Sequence, residues 1–351
     1  MRIGIVRHAL VFVIGTILLL SGAFTASAAE KPIELSYSSF FPASYGMGQA
    51  ATAWAKEIEK RSNGRVKITM YHGGTLTDAV ASYEGVVTGI SDIGQSVLAY
   101  TRGRFPLMEV LDLPGYPPNA LVTTRVADDF YRKFQPKELA DTHVLYMHAH
   151  IPGTITMVKK PVRTLEDMKG MKIRATGLAT KIVEALGATP VAMAIGEQYD
   201  AMRKGVVDGT VAVPNMLLGW KLAEVSQYST FVRDVGYVSA MFVTMNLNKW
   251  NALPPDIQKI FTDVSKDWVD YSGKEWNSME MEGFQYAKKA GHTFINLSDQ
   301  EQARWRDAVK PLQDAYIKSM AAKGLPGKEA VEYRQQLIQK YDRMYPRLSY
   351  E

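Results

Sequence analysis

The chain has 351 residues, of which 46% are hydrophobic, with 41 basic and 36 acidic side chains and no cysteine. The charges of both signs are interspersed without a polybasic block, which argues against nucleic-acid binding. Without cysteine the fold cannot use disulfides or a lipid-modified cysteine, so it must rest on its own apolar core. The length is enough for two domains of ordinary size.

The N-terminal residues 1–29 have the pattern of a cleavable signal peptide. Two arginines precede an apolar run at 9–20, and an Ala-Ser-Ala site follows at 26–28. The apolar run is shorter than the roughly 20 residues that span a bilayer. The pattern predicts export to the periplasm with cleavage near residue 28–29, and an uncleaved membrane anchor is the alternative.

A first α/β unit follows the leader. Alternating and 3-4 apolar spacings predict strands at Ile33–Ser38, Val66–Tyr71 and Asp92–Ser96, and helices at Gly48–Arg61 and Tyr83–Thr88. This β-α-β-α-β order predicts a parallel sheet with helices on both faces.

A second unit of the same kind begins after the segment His148–Gly153. Its predicted strands are Ile155–Val158, Met171–Ala175, Pro190–Met193 and Gly209–Val213, and its predicted helices are Thr180–Leu186 and Glu197–Lys204. Two successive units predict a two-lobed α/β fold, in which each lobe is a mostly parallel sheet flanked by helices. The ligand cleft is expected between the lobes.

Asp256 to about Ala290 has apolar residues at 3-4 spacing and predicts a long helix. Unbroken, it would reach roughly 45 Å, enough to cross both lobes. Gly273 and Gly283 weaken a helix, so a helix-turn-helix is the alternative. Two more amphipathic helices are predicted, at Gln300–Leu312 and Lys328–Tyr341.

Several motifs in a fixed order carry a family resemblance. They are Leu165–Arg174 (LEDMKGMKIR), Leu186–Pro190 (LGATP), Tyr199, Gly205–Gly209 (GVVDG) and Trp250–Pro254 (WNALP). Together they resemble the extracytoplasmic binding subunits of tripartite ATP-independent periplasmic (TRAP) transporters, of the dicarboxylate-binding type. The resemblance covers almost the whole chain after the leader. It implies two lobes joined by crossing strands and a long helix, which close on an organic anion and deliver it to a membrane permease.

The resemblance also gives expected lobe boundaries and partners. Lobe I is expected to contain residues 30–151 and about 240–280, and lobe II residues 152–239 and about 281–345. The expected partners are a small organic anion and the TRAP permease subunits. A monomer without cofactor, metal or nucleic acid is expected.

In the resembled family the arginine of the KIR-like motif pairs with the ligand carboxylate, and Arg174 matches that arginine. A guanidinium group presents planar, paired donors to a carboxylate and stays charged when water is excluded. Arg174 also lies near the carboxyl end of a predicted strand, where open α/β sheets bind ligands. Arg174 is therefore the expected anchor of the ligand.

Departures from the family pattern add further candidates. Many relatives have another arginine where this chain has Thr154, and Asn-Pro where it has Val213-Pro214-Asn215. Thr154, Val213 and Asn215 are therefore expected at the ligand, with helix capping as the alternative for Asn215. By the same register, the expected ligand contacts include Phe40, Val97, Ile195 and Met241.

Two loops and a histidine pair complete the expected site. Phe41 and Tyr45 follow the first predicted strand and Tyr71 ends the second, so these aromatic residues are expected to face the cleft, with core packing as the alternative for each of them. His148 and His150 have a spacing that can bind metal, but no third ligand is nearby. Polar lining near the hinge is the favoured interpretation, with His150 contacting the ligand.

One arginine among apolar neighbours predicts a ligand with a single anionic group on a modest apolar body, that is, a monocarboxylate. A sulfonate could use the same arginine, and a sensory receptor would bind ligand in the same way. The sequence contains no serine elbow, cysteine nucleophile or metal triad, so no enzymatic activity is expected. A secreted enzyme acting on small acids is the alternative from another class.

Overall fold

The computed structural model describes residues 31–232 and 235–350. From Pro32 onward the chain forms one compact unit. The expected signal peptide, residues 1–29, lies outside the described residues. Within those residues, no helix combines the length and the apolar character needed to cross a membrane.

Strands and helices alternate along most of the chain. The strands are β1 (Ile33–Ser39), β2 (Val66–Tyr71), β3 (Ile93–Val97), β4 (Thr142–Ala149), β5 (Thr154–Met157), β6 (Lys172–Ala175), β7 (Thr189–Ala192), β8 (Gly209–Ala212), β9 (Tyr228–Phe231), β10 (Ala240–Asn246) and β11 (Thr293–Asn296). The helices are α1 (Gly46–Arg61), α2 (Ser82–Val87), α3 (Ala120–Phe134), α4 (Ala179–Ala185), α5 (Ile195–Arg203), α6 (Asn215–Gly219), α7 (Leu247–Ala252), α8 (Pro255–Lys289), α9 (Asp299–Val309), α10 (Pro311–Ala322) and α11 (Gly327–Asp342). The predicted elements of both α/β units are confirmed to within two residues at each end.

The first sheet has the strand order β2-β1-β3-β10-β4. Its first three strands are parallel, and Tyr37 of β1 is paired with Met70 of β2 and Ile93 of β3. β10 is antiparallel to both β3 and β4. The carboxyl ends of β1 and β3 therefore lie at the same edge of this sheet.

The second sheet has the strand order β11-β9-β5-β8-β6-β7. β6 is parallel to its neighbours, and Arg174 in β6 is paired with Val191 of β7 and Thr210 of β8. β5 is antiparallel to β8 and β9. Two helix-flanked sheets of this kind confirm the predicted two-lobed α/β class.

Helix α8 is a continuous helix of 35 residues, about 50 Å long. Its buried side chains include Phe261 and Trp268, which pack with Trp54 of α1. Gly273 lies against α3, and Gly283 lies against Asn215 at the start of α6. The alternative of a helix-turn-helix is therefore wrong, because both glycines are contact points where another helix approaches the backbone.

Other elements differ from the sequence-based expectation. The segment Gln300–Leu312 was predicted as one helix but belongs to two. Helix α9 ends at Val309, and Pro311 begins α10. The strands β4 and β10 were not predicted, because nearly every residue in them is buried and no apolar-polar alternation marks them.

The C-terminal helices pack beside the first sheet. α11 packs against α3, and in α10 the hydroxyl of Tyr316 donates a hydrogen bond to the carbonyl of Leu107 at 2.8 Å. The expected lobe boundaries stay a prediction, and this packing favours placing residues 311–342 with lobe I rather than lobe II.

Candidate ligand-binding site

Arg174 lies in the interior of the second sheet and is 2% exposed. Its Nε and Nη2 atoms donate to the carbonyl oxygen of Met193, at 3.1 and 2.9 Å. Among the described residues, no carboxylate forms an ion pair with it. A buried cation without a counterion is costly, so this position favours the arrival of an anion.

Arg174 is one of the residues that line a small cavity. The cavity is lined by Phe40, Phe41, Tyr45, Val97, Tyr100, His150, Arg174, Thr176, Ile195, Met216, Tyr237, Ser239, Met241 and Trp276. These residues come from segments at the carboxyl ends of β1, β3, β4 and β6, from α5, α6 and α8, and from the approach to β10. The cavity therefore lies at the strand ends of both sheets, where α/β folds bind ligands.

Aromatic rings form one wall of the cavity. The ring centroids of Phe40 and Phe41 are 4.0 Å apart, and Phe41 stacks on Tyr45 at 5.2 Å. Trp276 of α8 meets Phe41 edge-on at 6.0 Å, and Tyr100 meets Phe40 in the same way at 5.9 Å. Such a wall accommodates an apolar or aromatic body and offers it no charge.

His150 lines the cavity, but both of its ring nitrogens are already engaged. Its Nδ1 lies 2.6 Å from the carbonyl oxygen of Ile151, and its Nε2 accepts the backbone N–H of Ser239 at 3.1 Å. Burial lowers the pKa of His150 to about 4, and the charge of Arg174 also lowers it. His150 is therefore a neutral part of the wall that positions the chain at Ser239.

His148 lies deeper and is also neutral. The indole Nε1–H of Trp276 donates to its Nδ1 at 3.1 Å, and its Nε2 faces the carboxamide of Gln95 at 2.9 Å. Burial lowers the pKa of His148 to about 3, and His150 adds to this shift. With both ring nitrogens occupied, His148 has none left for a metal ion. No group of three or more metal-binding side chains occurs within the described part of the chain.

A buried hydrogen-bond network lies behind the aromatic wall. The hydroxyl of Tyr45 donates to Asn215 Oδ1 at 2.5 Å, and the backbone N–H and Nδ2 of Asn215 both donate to Glu280 Oε2 at 3.1 Å. The hydroxyl of Tyr350 donates to Glu280 Oε1 at 2.8 Å. Burial raises the pKa of Glu280 to about 7, although these donors oppose the rise. The network links the loop after β1 to α6, α8 and the C-terminal segment.

Most of the expected site residues lie around this single cavity. The lining includes Arg174, Phe40, Phe41, Tyr45, Val97, His150, Ile195 and Met241. Their contact with a ligand stays a prediction, but the structure brings them together.

Four expected site residues do not line the cavity. The hydroxyl of Thr154 lies 3.2 Å from the carbonyl of Ala212, because β5 turns that side chain toward its neighbouring strand. Asn215 is held by the network around Glu280, and Val213 packs in the apolar core next to it. Tyr71 is 37% exposed at the end of β2.

Other lining residues were not predicted from the sequence. They are Tyr100, Thr176, Met216, Tyr237, Ser239 and Trp276. Thr176 could have been found, since it follows Arg174 by two residues and so continues the same strand face. No local sequence feature marks Trp276 or Tyr237 as a site residue. From the sequence alone, each is indistinguishable from an aromatic residue of the core.

The fold and the cavity together define a two-lobed α/β binding protein with a site for a small anion. The chain belongs to the DctP family, described as bacterial extracellular solute-binding protein, family 7, whose profile matches residues 37–319. Its relatives are periplasmic solute-binding proteins of TRAP transporters, so the resemblance drawn from the motifs is confirmed. These relatives are transport receptors, which at the level of the family supports a function other than catalysis.

Three similar proteins illustrate the relationship. The C4-dicarboxylate-binding periplasmic protein DctP of Rhodobacter capsulatus is 27% identical over 322 residues, which cover 89% of this chain and 94% of that protein. A TRAP periplasmic solute-binding protein from Desulfovibrio salexigens, solved as an open complex, is 35% identical with a TM-score of 0.79 and covers 91% of this chain and 99% of that one. A marine metagenome TRAP solute-binding protein specific for aromatic acid ligands, solved with 3-hydroxybenzoate, is 30% identical with a TM-score of 0.85 and covers 89% and 100%.

Proposed function

We propose that this protein captures a small organic monocarboxylate in the periplasm and delivers it to the membrane permease of a TRAP transporter. The guanidinium group of Arg174 neutralises the carboxylate, and the aromatic and apolar walls receive the rest of the molecule. The observation that carries the proposal is the burial of Arg174 beside a cavity lined mainly by aromatic and apolar side chains, without an acidic partner among the described residues. The metagenome relative that binds 3-hydroxybenzoate supports it, because that ligand has one carboxylate on an aromatic body.

The lining argues for one anionic group rather than two. Arg174 is the single basic residue among the cavity-lining side chains, and His150 is neutral. A second carboxylate would have no second cation among the cavity-lining side chains, and burying a carboxylate without a counterion costs several kcal/mol. A monocarboxylate therefore fits better than the dicarboxylate named for the Rhodobacter relative.

Ligand entry requires the lobes to separate. The cavity has a volume of about 20 Å³ in this conformation, which is room for about one water molecule. The lobes would open to admit the acid and close on it, and the closed form would engage the permease subunits. The leader at residues 1–29, cleaved near residue 28–29, would export the protein, which would act as a monomer.

A thermal-shift screen of monocarboxylates, dicarboxylates and sulfonates tests the proposal. A ligand at 100 times its Kd should add about 2.7 kcal/mol to the free energy of unfolding by mass action. We expect the strongest stabilisation from monocarboxylates, with the ligand recovered unchanged. Consumption of the ligand would instead indicate an enzyme, and a preference for sulfonates or dicarboxylates would overturn the monocarboxylate assignment.

Two arginine variants sharpen this test. Arg174→Met should abolish the stabilisation by ligand. Arg203→Met is the matched control, since Arg203 lies on α5 with an exposed side chain paired to Asp200. Stabilisation that survives in Arg174→Met would show that another group anchors the carboxylate.

A further inference from the structure

Three hydroxyl groups in the cavity have no hydrogen-bond partner among the described residues. They belong to Thr176, Tyr237 and Ser239, whose side chains are 8%, 4% and 5% exposed and line the cavity. Of the other polar lining groups, His150 has both ring nitrogens engaged and Tyr45 donates to Asn215. The hydroxyl of Tyr100 accepts the backbone N–H of Ile195 at 3.2 Å, which leaves its own O–H donor without an acceptor among the described residues.

The cavity contains more free hydrogen-bond donors than one carboxylate has acceptor positions. A guanidinium group has five N–H donors, and two of those of Arg174 go to the carbonyl of Met193. Three N–H groups and four hydroxyl donors remain when the O–H of Tyr100 is included, whereas a carboxylate offers about four acceptor positions. Buried polar groups are nearly always hydrogen-bonded, and leaving one unpaired is costly. A second oxygen atom on the ligand would accept hydrogen bonds from the donors that the carboxylate leaves unpaired.

The free donors lie close to the expected position of the carboxylate. Thr176 follows Arg174 by two residues along one chain segment, and Ser239 follows Tyr237 by two along the segment that leads into β10. Burial raises the pKa of Tyr237, and the charge of Arg174 works against the rise, so the phenol lies within electrostatic reach of that guanidinium group. Burial also raises the pKa of Tyr100, and the charge of Arg174 works against the rise, so this hydroxyl too lies near the guanidinium group. The rest of the lining is apolar or already hydrogen-bonded, so a polar atom far from the carboxylate would find no partner.

We propose that the ligand is a 2-hydroxy or 2-oxo monocarboxylic acid with an apolar body, and that Tyr237 and Ser239 recognise its 2-oxygen. The inference rests on the proposed function and narrows its substrate class. Arg174 and Thr176 bind the carboxylate, and the oxygen on the neighbouring carbon accepts from the two hydroxyls of the crossing segment. A hydroxyl at that carbon can also donate a hydrogen bond back to one of them.

Calorimetric titration of acids that share one carbon skeleton tests the inference. The set is phenylacetate, mandelate and phenylglyoxylate, with 3-hydroxyphenylacetate as a control that carries its hydroxyl on the ring. The same comparison with 4-methylpentanoate and its 2-hydroxy and 2-oxo forms covers an aliphatic body. We expect at least one 2-oxygenated acid to bind about tenfold or more tightly than its parent acid, a difference that one well-placed buried hydrogen bond supplies.

Variants show whether the named hydroxyls cause that preference. Tyr237→Phe and Ser239→Ala should each reduce the ratio between the affinities for the 2-oxygenated acid and its parent toward one, because each removes a donor to the 2-oxygen. Thr176→Val should weaken both acids alike. Tyr71→Phe removes the hydroxyl of a tyrosine outside the cavity, so it should leave the ratio unchanged.

The outcomes separate this inference from the proposed function. If the parent acids bind as tightly as their 2-oxygenated forms, or if the preference survives in the Tyr237→Phe/Ser239→Ala double variant, the inference is wrong and monocarboxylate capture stands. If 3-hydroxyphenylacetate is preferred, the second oxygen is recognised at the ring and the inference is again wrong. If no acid of either series binds and none stabilises the protein in the thermal-shift screen, both proposals are wrong.

Discussion

At the scale of single residues, the site depends on a charge that the unliganded protein accommodates at a cost. Arg174 is almost completely buried, and its described hydrogen bonds go to one backbone carbonyl, that of Met193. Burying an unpaired ion costs several kcal/mol, whereas an unpaired carbonyl costs about 1–3 kcal/mol. Functional sites often keep such an unfavourable group because the ligand completes it.

Replacing Arg174 should therefore make the unliganded protein more stable. In Arg174→Met the charge is removed and an apolar side chain of similar length remains. We expect the free energy of unfolding in urea without ligand to rise by about 1 kcal/mol or more, because the removed ion costs more than the carbonyl left unpaired. A marked loss of stability would mean that Arg174 serves the fold rather than the ligand.

Glu280 gives a second residue-scale prediction through its raised pKa. The group titrates near 7 in the folded protein against an ordinary value of 4.5, so between these values the folded state binds more protons than the unfolded state. The stability that the protonated carboxyl contributes is fully present below pH 4.5 and is lost as the pH rises through 7. Glu280→Gln removes this titration while keeping an acceptor for Asn215.

The stability difference between Glu280→Gln and the parent protein should thus grow between pH 5 and pH 8. We expect the difference in the free energy of unfolding to increase by about 2–3 kcal/mol in favour of the variant. Urea unfolding at the two pH values measures this difference. Glu282→Gln is the control, because Glu282 is exposed two residues further along α8. A difference that does not change with pH would show that Glu280 is ionised in the folded protein at low cost.

The sequence placed Arg174 at the cavity but missed several of the residues that form its walls. Arg174 was predicted because the KIR-like motif and the carboxyl end of a predicted strand coincide at this residue. Tyr237 and Trp276 were not, since they reach the cavity only when segments about 60 and 100 residues away from Arg174 in the chain fold against it. Thr154 and Asn215 were expected at the ligand from register alone, but backbone and side-chain partners next to them hold both elsewhere.

At the scale of secondary structure, helix α8 packs closely against two other helices, α3 at Gly273 and α6 at Gly283. A Cβ atom at Gly283 would lie 2.4 Å from the Cα of Asn215, and one at Gly273 would lie 2.9 Å from the Cα of Leu121. Both distances are too short for a side chain, so glycine is needed at these crossings despite its low helix propensity. From the sequence these glycines indicated a break, because the packing partner that explains them is distant in the chain.

The variant Gly283→Ala tests this explanation. In a helix free of neighbours, alanine is more favourable than glycine by about 1 kcal/mol. Here the new methyl group would collide with the backbone of α6, so we expect a loss of about 1–3 kcal/mol in the free energy of unfolding. Gly196→Ala in α5 is the control: nothing lies within 4 Å of its added Cβ, so its stability should be unchanged or higher. Equal stability of the two variants would contradict the close contact.

The strands that the sequence did not predict show where local pattern is not enough to predict an element. Parallel strands with flanking turns were predicted closely, as for β2 and β6. β10 was missed because all seven of its residues are buried, which removes the alternation that marks a strand. β9 and β11, of four residues each, were not predicted either.

At the scale of the whole molecule, the two sheets meet at the cavity and should move apart to admit the ligand. The ring of Tyr45, from the loop after β1, lies so close to Gly219 of α6 that a Cβ there would be 2.4 Å from it. This contact and the hydrogen bond from Tyr45 to Asn215 join the loop after β1 to α6. The absence of native cysteine allows the motion to be measured with labels on introduced cysteines.

Spin labels at Lys60→Cys on α1 and Lys204→Cys beside α5 would report the separation of the two sheets, since both side chains are exposed. We expect pulsed electron spin resonance to show a shift in their distance when a saturating ligand is added, because the ligand selects the closed form. The control pair, Lys181→Cys and Lys204→Cys, lies on helices of the second sheet and should keep its distance. An unchanged distance in the first pair would argue against closure on the ligand.

The central claim is that the guanidinium group of Arg174 binds the carboxylate of an organic acid enclosed between the two sheets. The most direct measurement is a crystal structure with the acid that gives the largest thermal shift. Both carboxylate oxygens should lie within hydrogen-bond distance of Arg174, and the apolar body should lie against Phe40, Phe41 and Trp276. An acid bound elsewhere, or bound in the cavity with the guanidinium group directed away from its carboxylate, would contradict this claim.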